Sequence, residues 1–549
     1  ALDLLGIPLS EKPTKTQVML ELLRTKAALG RRKPEALDEA PQVSDPAIRL
    51  AMKILVDFIP PSYLSGNSTL FATTALKQAT LSLRHGNCVE SASAYSSYAV
   101  LLAGLGDLKG AYDFGRLALR LTDRFEAVES RCRTLVLYGL FSHSWSQPWA
   151  TLSAWFKASV EAGLKSGDFL FMAYACGYVH LWDPTVDLET ALAESQAYLA
   201  LCRQTRYQNA LDATLLAHQF WRALRGDTQD PLSLSDSDFD EAACLARMHQ
   251  VGYTSGLAIH QLFKLQLACF HQDTERAWQA LMEAEGVIQA LAGSPYMVDY
   301  TVYGFQAAAL TAARKGAHAV AARRHMRRFH RQMRAWVRHC PENFAHHERL
   351  MQAERAHLAG KTAEAALRYE QAVKAAHASG FLRDEARANE AAARFYRERG
   401  LERAAQAYVL AARDAYLRWG AHSKVSDLDR RHGGDPVSGT AAALAATRSK
   451  APLQHLHLGH VPALVESGML DLATVWKATQ AISSEVILDR LLATLISTAK
   501  ENAGAQRAVL LLNVGDDAAP RLVIRAESQE DGSKKILQGE GLEDEARLP

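Results

Sequence analysis

His346-His347-Glu348 opens like the helix of a zinc peptidase, in which two imidazoles one turn apart grip the metal. The position one turn beyond His347 is Met351. The pair is therefore incomplete, and these histidines are expected to be exposed residues at a helix start. His455, His457 and His460 form a second histidine cluster, with neither a carboxylate nor a cysteine close by to complete a metal site. Gly104-Leu105-Gly106-Asp107-Leu108-Lys109-Gly110 has the glycines of a dinucleotide loop, but its spacing differs, and it is expected to join two helices instead of following a strand. The chain carries no phosphate loop of the GxxxxGK type. Nor does it show a nucleophile, base and orienting group in recognisable order. No catalytic residue, metal ligand or cofactor is assigned to this segment, and whether the parent chain is an enzyme is left to what lies outside it.

Binding chemistry is better represented. Arg323, Arg324, Arg327, Arg328, Arg331, Arg334 and Arg338 share one predicted helix. The apolar set Ala322, Met326, Phe329, Met333 and Trp336 follows the three-and-four rhythm of a packed face, which turns most of the arginines outward. Such a row is either a solvated face or a docking surface for an acidic protein segment. The formal net charge of +2 speaks against a nucleic-acid coat, which needs a concentrated cationic surface. Trp145, Trp149, Trp155, Tyr174, Tyr178 and Trp182 gather in one region. Packing between helices is the first expectation for them, and a ligand groove is the alternative.

These residues must be positioned by elements, and the composition says which kind. With 549 residues, 48% hydrophobic and 22% charged, the composition excludes wholesale disorder, and the chain is too long for one compact core. No stretch reaches the roughly 18–20 uncharged apolar residues of a membrane span, so no membrane insertion is expected. The first residues lack a secretory signal and read like the interior of a longer protein. Cys88, Cys132, Cys176, Cys202, Cys244, Cys269 and Cys340 stand singly, which suits buried, reduced thiols and a cytoplasmic setting.

Recurrent turns give the organisation. Gly360 and Gly400 each precede a helix, with Ala365, Tyr369 and Ala372 in the first and Ala404, Tyr408 and Ala411 in the second; Gly380 and Gly420 mark the companion stops. Ala277, Leu281 and Ala284 follow the turn at Gln272-Asp273, and Ala111, Gly115 and Ala118 follow Gly106-Asp107. Further breaks fall at Gln147-Pro148, Val186-Asp187, Gly226-Asp227 and Gly316, so turns recur roughly every 40–46 residues. The pattern predicts a mainly α chain of helical hairpins, each burying its apolar face against its neighbours and leaving a long concave surface. Small residues around an aromatic at this spacing resemble the second helix of tetratricopeptide repeats. The period is longer than in that family, and its tryptophan-leucine-glycine signature is missing. The expected architecture is a tetratricopeptide-like α-solenoid over residues 44–432, preceded by a helical entry segment at 1–43.

Gly433-Gly434-Asp435-Pro436 opens a Gly-, Ala-, Ser- and Thr-rich stretch, read as a linker over 433–468. Beyond it, Leu470, Ala473, Trp476, Leu488, Leu491, Leu492 and Leu495 form an apolar stripe on two predicted helices, with Ser484 as an N-cap. Arg507–Leu512 and Arg521–Ala526 then read as paired strands joined around Gly515-Asp516-Asp517. Leu470–Val475, Ala478–Glu485 and Asn502–Arg507 resemble the entry to a GAF domain, so 469–549 reads as the first half of an α+β GAF-like domain. With the repeats before it, the chain resembles the connecting part of large bacterial signalling proteins. Those join a serine/threonine kinase, an AAA-type or STAND ATPase, a helical-repeat region, a GAF domain and a sensor histidine kinase. The resemblance implies a non-catalytic scaffold and sensory segment that takes protein or peptide partners on the solenoid and a small molecule in the complete GAF domain. It further implies a downstream kinase, with ATP needed only by the parent protein, while the apolar stripe itself could pair with its copy in a homodimer. A stand-alone peptide-binding adaptor is the rival reading.

Overall fold

The computed structural model describes residues 2–64, 67–314 and 316–432, together with the backbone of three strands after residue 507. Contacts divide the chain into two compact units, Ala1–Asp435 and Pro436–Pro549.

The first unit is helical. It runs α1 (Lys15–Leu29), α2 (Pro46–Leu64), α3 (Ser68–His85), α4 (Val89–Leu105), α5 (Leu108–Arg124) and α6 (Val128–Tyr138). A π turn at Gly139–His143 leads into α7 (Ser144–Ser146), α8 (Leu152–Ser166), α9 (Phe169–Tyr178), α10 (Leu188–Gln204), α11 (Gln208–Arg225) and α12 (Glu241–Gln250). Next come α13 (Thr254–Phe270), α14 (Thr274–Val287), α15 (Tyr296–Ala313), α16 (Ala319–Val337) and α17 (Pro341–Leu358). The unit ends with α18 (Thr362–Ala378), α19 (Leu382–Arg397), α20 (Glu402–Trp419) and α21 (His422–His432). No described helix is long and apolar enough to cross a membrane.

The turns form where acidic caps stand. Asp107 Oδ1 accepts from the Gly110 amide at 2.9 Å, Asp187 Oδ1 from Thr190 at 2.7 Å and Asp273 Oδ1 from Arg276 at 3.1 Å; each satisfies an amide that the first helical turn cannot. Gly360, Gly380, Gly400 and Gly420 all take left-handed φ, between 70° and 87°, the conformation that ends a helix and suits a residue without Cβ. The small-residue rows pack inward as expected in α5, α14 and α18, where Ala111, Gly115 and Ala118, then Ala277, Leu281 and Ala284, then Ala365, Tyr369 and Ala372 are buried. In α20 the sequence reading is off by one. The buried row that begins the helix is Ala405, Val409 and Ala412, continued by Ala415, Tyr416 and Trp419, whereas Ala411 is exposed. Half-buried Tyr408 stacks on Tyr396 at 5.2 Å and donates to Glu370 at 2.7 Å. Counted from Ala365, Tyr369 and Ala372, the true row is shifted by 40 residues at every position, with Val409 in the slot that the aromatic was expected to fill.

Hairpin packing alone does not account for the core. In an array whose members touched only their neighbours, the tryptophans near residue 150 would face a groove. Instead Trp145 Nε1 donates to the Gly293 carbonyl at 2.7 Å, and its ring lies 5.1 Å from that of Trp336. The Trp149 amide donates to Asn343 Oδ1 at 3.0 Å, and Trp182 Nε1 donates to Asp299 Oδ2 at 2.9 Å. A buried indole has a large area to shelter and one N–H to satisfy; for Trp145 and Trp182 the N–H is met by segments more than a hundred residues away, whereas the Trp149 indole donates to the Ser144 carbonyl at 2.8 Å and finds its distant contact in the Phe344 ring. Residues 1–43 are joined to α3 and to the turn after it: Thr25 Oγ1 lies 2.8 Å from Thr80 Oγ1, and Asn87 Nδ2 donates to the Leu37 carbonyl at 2.7 Å. All seven cysteines are free and buried.

In the second unit, β1 (Ala508–Asn513), β2 (Leu522–Ser528) and β3 (Lys534–Gly541) form an antiparallel sheet in the order β1-β2-β3. Ala508 pairs with Ser528, and Asn513 with Leu522, which is the hairpin expected around Gly515. The third strand is not legible in the sequence because Lys534-Lys535-Ile536-Leu537-Gln538-Gly539-Glu540-Gly541 lacks alternation and holds two glycines. The linker at 433–468, with His455, His457 and His460, and the stripe Leu470, Ala473, Trp476, Leu488, Leu491, Leu492 and Leu495 lie outside the described residues.

Candidate functional site

The arginine row lies on α16. Arg323, Arg324, Arg327, Arg328, Arg331 and Arg334 are exposed, while Ala322, Met326, Phe329, Met333 and Trp336 are buried. Arg328 pairs with Glu285, donates to the Tyr300 hydroxyl at 3.1 Å and lies 4.8 Å from the Phe329 ring centroid. The other five form no ion pair with the described residues, so their charge is presented to solvent along more than two helical turns.

The paired histidines are not exposed, contrary to expectation. α17 begins at Pro341, which puts His346 and His347 in its second turn, facing inward and each 3% accessible. The His346 ring lies 4.5 Å from that of Phe381. Their ligand atoms and those of Asp384 fall within 4.8 Å of one another, a donor set suited to zinc. The surroundings do not suit it. Arg387 donates to Asp384 Oδ1 at 2.7 Å, and Arg383 Nη2 lies 3.5 Å from Oδ2. Both carboxylate oxygens are therefore engaged, and two guanidinium groups would repel a divalent ion. Burial alone would raise the Asp384 carboxyl, but Arg383 and His347 carry it well below the usual range.

Asp384 begins a buried ionic seam along α19. Arg387 also donates to Gln306 Oε1 at 2.7 Å and sits 4.3 Å above the Tyr303 ring. Glu390 accepts from Lys424 at 2.7 Å, Gln272 at 2.7 Å, Arg431 at 3.0 Å and the Tyr416 hydroxyl at 3.0 Å. Arg394 pairs with Glu354, which also accepts from the Tyr369 hydroxyl at 2.9 Å. Lys424 is wholly inaccessible and adds Asp427 at 3.2 Å. With Lys424 also donating to the Phe270 carbonyl, the seam ties α13, α15, α17, α19 and α21 together.

Of the clustered aromatics, Trp145, Trp149 and Trp182 are buried, whereas Trp155, Tyr174 and Tyr178 are half-buried. Trp155 packs edge-on to Tyr138 at 4.7 Å. Tyr174 and Tyr178 line a cavity whose other walls come from α2, α3, α4, α6, α13 and α15. Sequence reading does not find this cavity, because its walls are drawn from segments between residues 59 and 296 that share no motif.

Buried histidines make the unit sensitive to acid. Burial is the leading cause that pushes His143, His218 and His271 down to about 4. A depressed histidine contributes stability that is present above its unfolded value near 6.5 and is lost as pH falls toward 4, because the unfolded chain takes up protons that the folded one refuses. Asp299, pushed up to about 6 chiefly by burial, works in the opposite sense, its contribution being lost as pH rises through 6. The three histidines outweigh it. Chemical denaturation between pH 7 and pH 4.5 is expected to show stability falling by about 1.4 kcal/mol per pH unit for each histidine, and His218→Gln should flatten the slope.

No protein-family model matches the chain, and no curated protein matches it.

Proposed function

We propose that this chain is the non-catalytic regulatory part of a cytoplasmic signal-transduction kinase. In this reading the helical unit takes up a protein partner, and the C-terminal unit, as the start of a GAF domain, relays that event to a histidine kinase downstream. The observation that supports it most is the arginine row of α16. A rigid helix, anchored by Met326, Phe329, Met333 and Trp336, presents five guanidinium groups that form no ion pair with the described residues, beside Arg328, which pairs with Glu285, an arrangement that suits an acidic protein segment. The tetratricopeptide-like reading draws further support from the buried rows of α18 and α20 at a 40-residue shift. The three antiparallel strands follow the residues on which the GAF likeness was read, and a sheet after the expected entry helices is compatible with an α+β domain.

The binding step is tested on the full chain with a fluorescent Glu-rich peptide. Reversing Arg323, Arg327, Arg331 and Arg334 to Glu should weaken its binding at least tenfold, and binding to the parent chain should fall as salt is raised. Equal affinity for a single-stranded oligonucleotide would overturn the protein-partner reading. The relay is tested separately in the parent kinase, where deleting residues 470–503 should leave phosphorylation active but no longer responsive to the bound peptide. The adaptor reading predicts instead that residues 436–549 can be removed with no loss of any activity.

A further inference from the structure

We infer that the tyrosine-walled cavity of the helical unit is a binding site for a small, uncharged, mainly apolar molecule carrying a single hydroxyl or carbonyl group. This goes beyond the partner-binding reading, and it concerns the helical unit, not a GAF pocket.

The cavity has a volume of about 90 Å³. One water needs about 10–15 Å³ by this measure, so there is room for a molecule of about one substituted ring. Among the described residues, no charged side chain lines it. A charged ligand would lose its hydration there and gain no counter-charge. Apolar contact comes from residues such as Val100, Leu140, Phe141 and Ile259, and five tyrosines, Tyr63, Tyr174, Tyr178, Tyr253 and Tyr296, stand around the space.

Two features distinguish this wall from ordinary packing. The first is the Tyr174 hydroxyl, which is shielded from solvent. It faces the Tyr253 hydroxyl but completes no hydrogen bond of normal geometry among the described residues. A buried polar group left this way is costly, and an oxygen on the occupant would satisfy it. A tyrosine hydroxyl is neutral at physiological pH and able to donate, and burial pushes this one further up, to about 12. The second is the π turn at Gly139–His143, which places Leu140 and Phe141 in the wall. Such turns interrupt helical hydrogen bonding and are frequent at functional sites. Tyr63, Leu137, Phe171, Tyr174 and Tyr178 keep partial exposure, so the wall contributed by α2, α6 and α9 lies near the surface.

The test is calorimetric titration of the full chain with 4-ethylphenol, ethylbenzene and 4-ethylbenzoate, which share one ring and differ in a single group. The site predicts that 4-ethylphenol binds about five- to tenfold more tightly than ethylbenzene and that 4-ethylbenzoate does not bind. Tyr174→Phe should bring 4-ethylphenol down to the affinity of ethylbenzene and leave ethylbenzene unchanged. Val100→Trp, which fills the space, should abolish both; if that variant does not fold, Tyr174→Phe and the ligand series decide alone. The inference is overturned if 4-ethylphenol does not bind, if 4-ethylbenzoate binds as well as the phenol, or if Tyr174→Phe leaves the preference for the phenol intact.

Discussion

Glu390→Gln is expected to lower the stability of the helical unit by about 3–5 kcal/mol, the cost of removing one member of a buried charge network. Glu390 is 7% accessible and Lys424 wholly inaccessible, so the ammonium cannot turn to water when its partner is neutralised. The amide keeps only one oxygen, so Lys424, Gln272 and Arg431 on Oε1 and the Tyr416 hydroxyl on Oε2 can no longer all be satisfied. Chemical denaturation followed by tryptophan fluorescence reads the change, with Trp419 on the helix that carries Tyr416. Lys424→Met should cost a similar amount. The double variant should lose less than the two single losses combined, because each substitution removes the charge that the other leaves uncompensated. Asp414→Asn provides the contrast: its pair with Arg418 spans 3.8 Å, with both side chains more than half exposed, and a surface pair of this kind contributes about 0–1 kcal/mol. Should Glu390→Gln prove as mild as Asp414→Asn, the seam is hydrated.

Trp145→Ala is the second large effect, with an expected loss of about 3–5 kcal/mol. The indole is 2% accessible, lies 5.1 Å from Trp336 and 6.0 Å from Phe344, and bonds to the Gly293 carbonyl. Removing it opens a void among helices distant in sequence and orphans that carbonyl. Trp145→Phe separates the two contributions. It keeps most of the ring but not the N–H, and should cost about 1–3 kcal/mol for the unmet acceptor. Limited proteolysis adds a spatial readout, since the alanine variant should become sensitive both near residue 147 and near residue 293. Cleavage confined to the first of these would mean that the distant contacts contribute little.

Local features could be read from the residues because their causes are local. An Asp before a helix and a Gly after it act within one turn, so Asp107, Asp187, Asp273 and the glycines from Gly360 to Gly420 marked the elements they bound. The face of α16 was also legible, since a three-and-four rhythm separates Met326 and Phe329 from the arginines regardless of what packs there. Where two helical registers differ by one residue, local rhythm is weaker. Tyr408 attracted the reading that Val409 deserved, because the neighbouring helix, and not side-chain size, decides which row is covered.

The amino-acid sequence by itself determined that the chain is mainly helical, where its helices turn, which face of α16 meets solvent, and that a strand pair follows residue 507. Only the tertiary structure decided that His346 and His347 are buried, that Asp384, Arg387, Glu390 and Arg394 form an interior seam although charged residues at such spacing suit a solvated face, and that a cavity opens beside Tyr174. The reason is physical. Periodicity records only that a face is chemically distinct, whereas burial, charge pairing and enclosed space depend on partners such as Lys424, Asp299 and Tyr253 that are brought in from elsewhere in the chain.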